Sequence, residues 1–194
     1  LFAQMLGLTT SLQLLDISRP DSPLLQFFLR SAPGTYQHSL QVANLAPTEL
    51  DLIICTSSSP EYIFPATACL VQDQIGATKA GAFDLLAACT GFVYSTNMAA
   101  QAIRSGSIKN ALVIGTETLS RFVNWKDRNT CILFGDGAGA FVLQASDKPG
   151  GLLSAVMRSD GSGANLLTLL GGGARHPATE TTIHEGKHFI QMDG

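Results

Sequence analysis

Ala82-Phe83-Asp84-Leu85-Leu86-Ala87-Ala88-Cys89-Thr90-Gly91-Phe92, continued by Val93 to Arg104 and then by Ala111-Leu112-Val113-Ile114, decides how this chain is read. Residues 82–86 form an apolar run of strand length. After it, Phe92, Val93, Thr96, Ala99, Ala100 and Ile103 recur at helical spacing, with Met98 and Ala102 widening the apolar face, which predicts a helix over about 90–104. Gly106 is placed to stop it, and Ala111–Ile114 reads as a second buried strand. Two apolar strands joined by a helix make a βαβ unit, whose crossover is right-handed and whose strands run parallel. The fold class is therefore α/β with a mainly parallel sheet. The small residues around much of the helix predict packing on more than one side.

Cys89 sits where that strand turns into that helix. Unpaired N–H groups in a first helical turn, together with the positive end of the helix dipole, favour a thiolate over a thiol and expose its sulfur to a substrate. The same N–H groups can hold an oxyanion. Most free cysteines are small buried hydrophobes, and an apolar strand alone would suggest that role. The sharp turn and the residues further along point instead to a nucleophile.

Working outward, residues 36–45 carry a short helical pattern, and Asp51-Leu52-Ile53-Ile54-Cys55 reads as a strand. Pro65 suits the opening of a helix through Leu70 and Val71, with Gly76 as its C-cap. Downstream, a polar loop is expected over Thr116–Asn129, then a strand Cys131-Ile132-Leu133-Phe134, a glycine turn over Gly135–Ala140 and a strand Phe141-Val142-Leu143. A glycine turn that joins two strands and opens no helix lacks the setting of a phosphate-binding loop. Residues 171–189 read as an irregular, exposed connection. In residues 1–34 the apolar clusters around Leu12–Leu15 and Leu24–Leu29 are interrupted by Pro20, Pro23 and Pro33, and no element is assigned there.

The composition narrows the class further. Among 194 residues, 45% are hydrophobic and only 14% charged, so part of the surface is expected to be covered by a partner or by further sequence. No apolar run approaches the roughly 18 residues of a membrane span, and no basic flank with a cleavage site opens the chain. A net charge of −3 gives no reason to expect nucleic-acid binding. The cysteines at 55, 69, 89 and 131 have neither zinc-ligand nor disulfide-framework spacing, which fits reduced thiols in a cytoplasmic or plastid-stroma setting. No metal, flavin or nicotinamide site is indicated. Beginning at Leu1 and stopping at Gly194 in mid-pattern, the sequence is expected to be a fragment.

The run Ala87-Ala88-Cys89-Thr90-Gly91-Phe92, with Phe134-Gly135-Asp136-Gly137-Ala138-Gly139-Ala140 and Ser159-Asp160-Gly161, resembles the β-ketoacyl-acyl-carrier-protein synthase III family of thiolase-fold condensing enzymes. The likeness extends from about Tyr36 to the C-terminus. It implies a thiolase-like N-terminal half over residues 35–170, a divergent N-terminus over 1–34, and a loop over 171–194 leading to a second half. It implies that Cys89 takes an acyl group from acyl-CoA, most often acetyl-CoA. Malonyl-acyl carrier protein is then decarboxylated and condensed onto that thioester, beginning a fatty acid. Acyl-CoA is a substrate here, no permanently bound cofactor is implied, and the complete enzyme is a homodimer. By the same resemblance Arg128 meets the adenine end of CoA, Phe64 crosses the dimer interface to floor the partner's acyl pocket, and Leu119, Phe134 and Met192 line the acyl tunnel. Read without the family, Phe64, Leu119, Phe134 and Met192 would be core and Arg128 a solvated loop residue. Asp136 is expected to organise its turn.

The family's histidine and asparagine have no counterpart here, since His38, His176, His184 and His188 lie outside its catalytic motif. The family's Trp-Ile-x-x-Arg-Thr-Gly-Ile segment, which contacts CoA, is also missing from residues 1–34. Alternatives are another thiolase-fold acyltransferase of the polyketide or 3-hydroxy-3-methylglutaryl-CoA synthase type, for which Glu61 lies in the relevant stretch, a cysteine hydrolase, or a non-catalytic remnant that pairs with complete synthases.

Overall fold

The computed structural model describes residues 35–148 and 150–193. The readings made on residues 1–34 lie outside these. The described chain divides into two compact units, one holding the residues up to Glu117 with Gly137–Val156, the other Thr118–Asp136 with the residues from Met157 onward.

In the first unit β1 (Leu52–Thr56) is the strand around which the rest is arranged. It lies between β2 (Gly81–Leu85) and β3 (Asn110–Thr118), with β4 (Asp136–Gln144) beyond β3. Both pairings of β1 are parallel, with Cys55 opposite Asp84 on one side and Ile114 on the other. A central parallel strand is covered on both faces, which is why Ile53, Ile54 and Cys55 are all apolar and all fully buried. Helical residues 35–42 (α1) and α2 (Thr67–Ile75) contribute Tyr36, Leu40, Ala68 and Val71 to a core that also takes in Ile53, Cys55, Leu112 and Ile114. Ile54, Ala99, Ala111 and Val113 form a second core, to which α3 (Gly91–Arg104) supplies Ala99. At about 1.5–3 kcal/mol for each large aliphatic side chain taken fully out of water, these two layers dominate the unit's stability. Gly76 ends α2 in the left-handed region (φ +70°), its N–H bonding back to Gln72 and Asp73.

Three expectations are corrected downstream of β3. The strand runs on through Thr116, Glu117 and Thr118 before a 3-10 turn at Leu119–Arg121, where a polar loop was expected. Polar residues are accommodated at this strand end because the Glu117 carboxylate accepts hydrogen bonds from the loop that follows β1. Cys131–Phe134 is not a strand. Asp127 caps a short helix, α4 (Arg128–Cys131), by accepting from the Asn129 N–H at 3.1 Å and the Thr130 hydroxyl at 2.5 Å. The apolar pair Ile132 and Leu133 then follows in an exposed turn. The glycine-rich stretch from Asp136 is no turn but the first half of β4, its glycines at 137 and 139 falling at the two-residue period of a strand.

The second unit holds α4, the antiparallel pair β5 (Leu167–Leu169) and β6 (Ile190–Met192), and α5 (Glu180–His184), a short helix within the stretch expected to be irregular. β6 is tied in by the Ile190 N–H, which donates to the Phe122 carbonyl at 2.7 Å, and α4 packs against β6.

At the entry to the sheet, Asp51 joins β1 to β3. One of its carboxylate oxygens accepts from the Lys109 N–H at 2.7 Å and the Asn110 N–H at 3.0 Å. These two bonds, the Lys109 one foremost, hold its pKa below the ordinary 3.8. A depressed carboxylate stabilises the folded state above its unfolded pKa, and that contribution is lost as pH falls through the folded value. Asp51→Asn keeps an acceptor but removes the charge. The variant should have a lower urea midpoint than the wild type at pH 7, and the gap should close progressively below about pH 4.

Candidate active site

The link from β2 to α3 is built to expose one side chain. Ala87 is at φ −146°, ψ 30°, and Ala88 follows in the left-handed region at φ +44°. A non-glycine residue there costs about 1–2 kcal/mol, which the surrounding packing must hold in place. Cys89 is the middle residue of the resulting 3-10 turn, Ala88–Thr90, and is exposed. The turn is closed by Thr90, whose N–H and hydroxyl both donate to the Ala87 carbonyl, at 3.1 and 2.7 Å. Thr90 is also the N-cap residue of α3, yet its hydroxyl makes no cap bond to that helix. The first turn of α3 thus has no side-chain cap at the end where Cys89 stands; its leading N–H, that of Gly91, donates instead to the Ala88 carbonyl of the preceding turn.

Close packing fixes where α3 begins. A Cβ on Gly91 would lie 1.9 Å from the Thr56 hydroxyl oxygen at the end of β1, so only glycine lets the helix approach the strand this closely. Ser95, fully buried one turn on, donates to the Gly91 carbonyl at 2.8 Å. Phe92 stacks edge-on against Phe141 of β4, ring centres 5.0 Å apart, and a Cβ on Gly115 would press within 3.3 Å of the Phe92 ring.

The other thiols differ sharply in setting. Cys55 is buried in β1, and burial first, then the carboxylates of Asp84 and Glu117, push its thiol up from 9.0 to about 12. It is chemically inert in the folded chain. Cys69 is exposed on α2 and Cys131 partly buried in α4, and all four thiols are free.

Phe64 is 84% exposed on the loop joining β1 to α2, beside the equally exposed Ile63, so its reading as core is overturned. Glu61 is exposed on the same loop. Because β1 and β2 are parallel, the Phe64 loop and the Cys89 turn leave the sheet at the same edge. Leu119, Arg128, Phe134 and Met192 belong to the second unit. Leu119 and Phe134 are half-buried, while Met192 on β6 is exposed and so not core. Arg128 is exposed as the first residue of α4, the helix that packs on β6. Asp136 accepts from both the N–H and the hydroxyl of Ser120, each at 2.8 Å, which occupies both its oxygens in organising the chain. Of the histidines, His38 is exposed on α1, and His176, His184 and His188 lie in the second unit. Among the described residues no cluster of His, Cys, Asp or Glu is placed to hold a metal ion, and no helix is long and apolar enough to cross a membrane. Sequence reasoning passed over Gly91, Asp84 and Glu117. A carboxylate inside the apolar run 82–86 was the available signal for Asp84.

The mostly parallel sheet with its packed helices, and a cysteine exposed on the turn between strand and helix, define this as a chain of the thiolase-type fold. Residues 83–161 match the family model of 3-oxoacyl-[acyl-carrier-protein] synthase III, a span that holds the cysteine turn, the glycine-rich strand and Ser159-Asp160-Gly161. A β-ketoacyl-[acyl-carrier-protein] synthase III of Desulfitobacterium hafniense (strain Y51) is 51% identical over 92% of this chain and 53% of its own. The crystal structure of the 3-oxoacyl-[acyl-carrier-protein] synthase III from Aquifex aeolicus superposes with a TM-score of 0.72 at 44% identity, over 84% of this chain and 48% of that one. The priming β-ketosynthase of the R1128 polyketide pathway superposes at 0.76 and 29% identity, over 96% of this chain and 53% of that one. The chain belongs to the 3-oxoacyl-[acyl-carrier-protein] synthase III family and spans about half the length of the curated relatives it matches.

Gly91→Ala should destabilise the chain by about 1–3 kcal/mol through forced overpacking against Thr56. Adding Thr56→Ala, which removes the contacting hydroxyl, should recover part of the loss in a thermal melt.

Proposed function

We propose that this chain carries the acyl-accepting part of a β-ketoacyl-acyl-carrier-protein synthase III, with Cys89 as nucleophile. The observation that supports this most directly is the exposed Cys89 on its strained turn, at a helix N-terminus that no side chain caps. In the reaction the Cys89 thiolate attacks the carbonyl carbon of acyl-CoA. A carbon–sulfur bond to Cys89 forms, the bond to CoA breaks, and CoA leaves as a thiolate that takes up a proton. In this reading backbone N–H groups around the Cys89 turn hold the transient oxyanion. Malonyl-acyl carrier protein then loses carbon dioxide, and its carbanion attacks the acyl-Cys89 carbonyl to expel the thiolate and give 3-oxoacyl-acyl carrier protein. Splitting one displacement into two is the gain of a covalent intermediate.

In this reading Arg128 meets the adenine end of CoA, where a planar cation can stack on the base and pair with phosphate. Phe64, Leu119, Phe134 and Met192 border the acyl chain, with Phe64 reaching a partner subunit of a homodimer. The setting is cytoplasmic. The histidine and asparagine that stabilise the carbanion in this family have no counterpart in these 194 residues, so the chain by itself accepts an acyl group and does not condense it.

Intact-mass measurement after incubation with acetyl-CoA should find a single acetyl adduct, absent from Cys89→Ala. Adding malonyl-acyl carrier protein should release no 3-oxoacyl product. An adduct that persists in Cys89→Ala would remove Cys89 from the role, whereas none at all on the wild type would mean that acylation needs more of the family's length than this chain spans.

A further inference from the structure

Residues 57–66 leave the central strand and carry the exposed triplet Tyr62-Ile63-Phe64 before α2 begins. An apolar tip that faces solvent has little packing of its own to fix its shape, so its position depends on how its ends are held. Each end is held by a carboxylate from a strand flanking β1. On the β3 side, Glu117 accepts from the Ser58 N–H at 2.8 Å and from the Ser59 hydroxyl at 2.6 Å, one oxygen to each. On the β2 side, Asp84 accepts from the Thr67 N–H at 2.7 Å and the Ala68 N–H at 2.8 Å, again one oxygen to each. The same pair bears on the buried Cys55 thiol between them. The two anchors therefore straddle the end of β1 and clamp the loop from both sides.

We propose that Asp84 and Glu117 are positioning residues that fix the Tyr62–Phe64 tip and thereby set the length of acyl chain that a partner copy accepts on its own nucleophilic cysteine. The acyl part of this rests on the readings of Cys89 as acyl acceptor and of Phe64 as bordering the acyl chain across a homodimer. The two anchors differ chemically. Gln in place of Glu117 still accepts from the Ser58 N–H, and its amide can donate to the Ser59 hydroxyl, which accepts as well as donates. Asn in place of Asp84 has one acceptor for two N–H donors and sets its own amide against the other. Conservative replacement should thus be silent at 117 and disruptive at 84.

The test compares wild type, Glu117→Gln, Glu117→Leu and Asp84→Asn. The rates at which acetyl-CoA and octanoyl-CoA acylate Cys89 are measured by intact mass, beside iodoacetamide alkylation of Cys89 and amide hydrogen exchange. Glu117→Gln should keep the wild-type octanoyl-to-acetyl ratio. Asp84→Asn and Glu117→Leu should move it by about tenfold, the discrimination one methylene of pocket space gives, with Cys89 alkylation unchanged and faster exchange confined to residues 57–68. Wild-type ratios in Asp84→Asn and Glu117→Leu would overturn the proposal. Exchange accelerated throughout β1, β2 and β3 would overturn it too, because the carboxylates would then be holding the sheet. If no variant, wild type included, is acylated, this chain alone does not accept an acyl group, and the exchange pattern decides whether the two carboxylates anchor the loop: wild-type exchange over residues 57–68 in Asp84→Asn and Glu117→Leu would overturn the proposal.

Discussion

Gly91 lies against Thr56 with no room for a side chain, and the geometry of the Cys89 turn follows from that contact. It presses the start of α3 onto the end of β1. The chain coming from β2 must then reverse within a few residues, and Ala88 takes up the left-handed conformation that this demands. Cys89 is what remains outside once Gly91 is inside. An L-residue at φ +44° is tolerable because the buried Ser95 and the Phe92–Phe141 pair hold the first turns of α3 in place beyond it.

Parallel pairing adds a second consequence. With β1 parallel to β2 and β3, the helices that follow β1 and β2 both begin at one edge of the sheet. Their N-termini are finished differently. The α2 terminus receives the Asp84 carboxylate from the neighbouring strand, whereas the α3 terminus has no side-chain cap. One helix end is completed by a side chain from a neighbouring strand, and the other by backbone carbonyls of the turn that carries Cys89.

The parts legible in the sequence were those whose local signals agreed with the packing. Ile53-Ile54-Cys55 is apolar because both faces of β1 are covered, Gly76 ends α2 because it can adopt positive φ, and the helix after Cys89 shows its spacing plainly. The misread segment, 116–140, is where short-range signals competed. Cys131-Ile132-Leu133-Phe134 has the apolar content of a strand, but Asp127 caps a helix just before it and Ile132 ends 74% exposed. Glycines 135, 137 and 139 suggested a turn, although their two-residue spacing was also that of a strand. The polar end of β3 was illegible because its justification lies 58 residues away, at Ser59. For the candidate site, Cys89 could be read locally. Phe64 in the open, and the carboxylates beneath its loop, required knowing which strands are neighbours.

The inert Cys55 gives the fold an internal witness. Its thiol sits in the central strand, where burial and two carboxylates hold it protonated, while Cys89 and Cys69 are open to solvent. Slow alkylation at Cys55 would therefore count openings of the sheet itself. The chain carries, in one sequence, a thiol that reports on its surface and a thiol that reports on the lifetime of its centre.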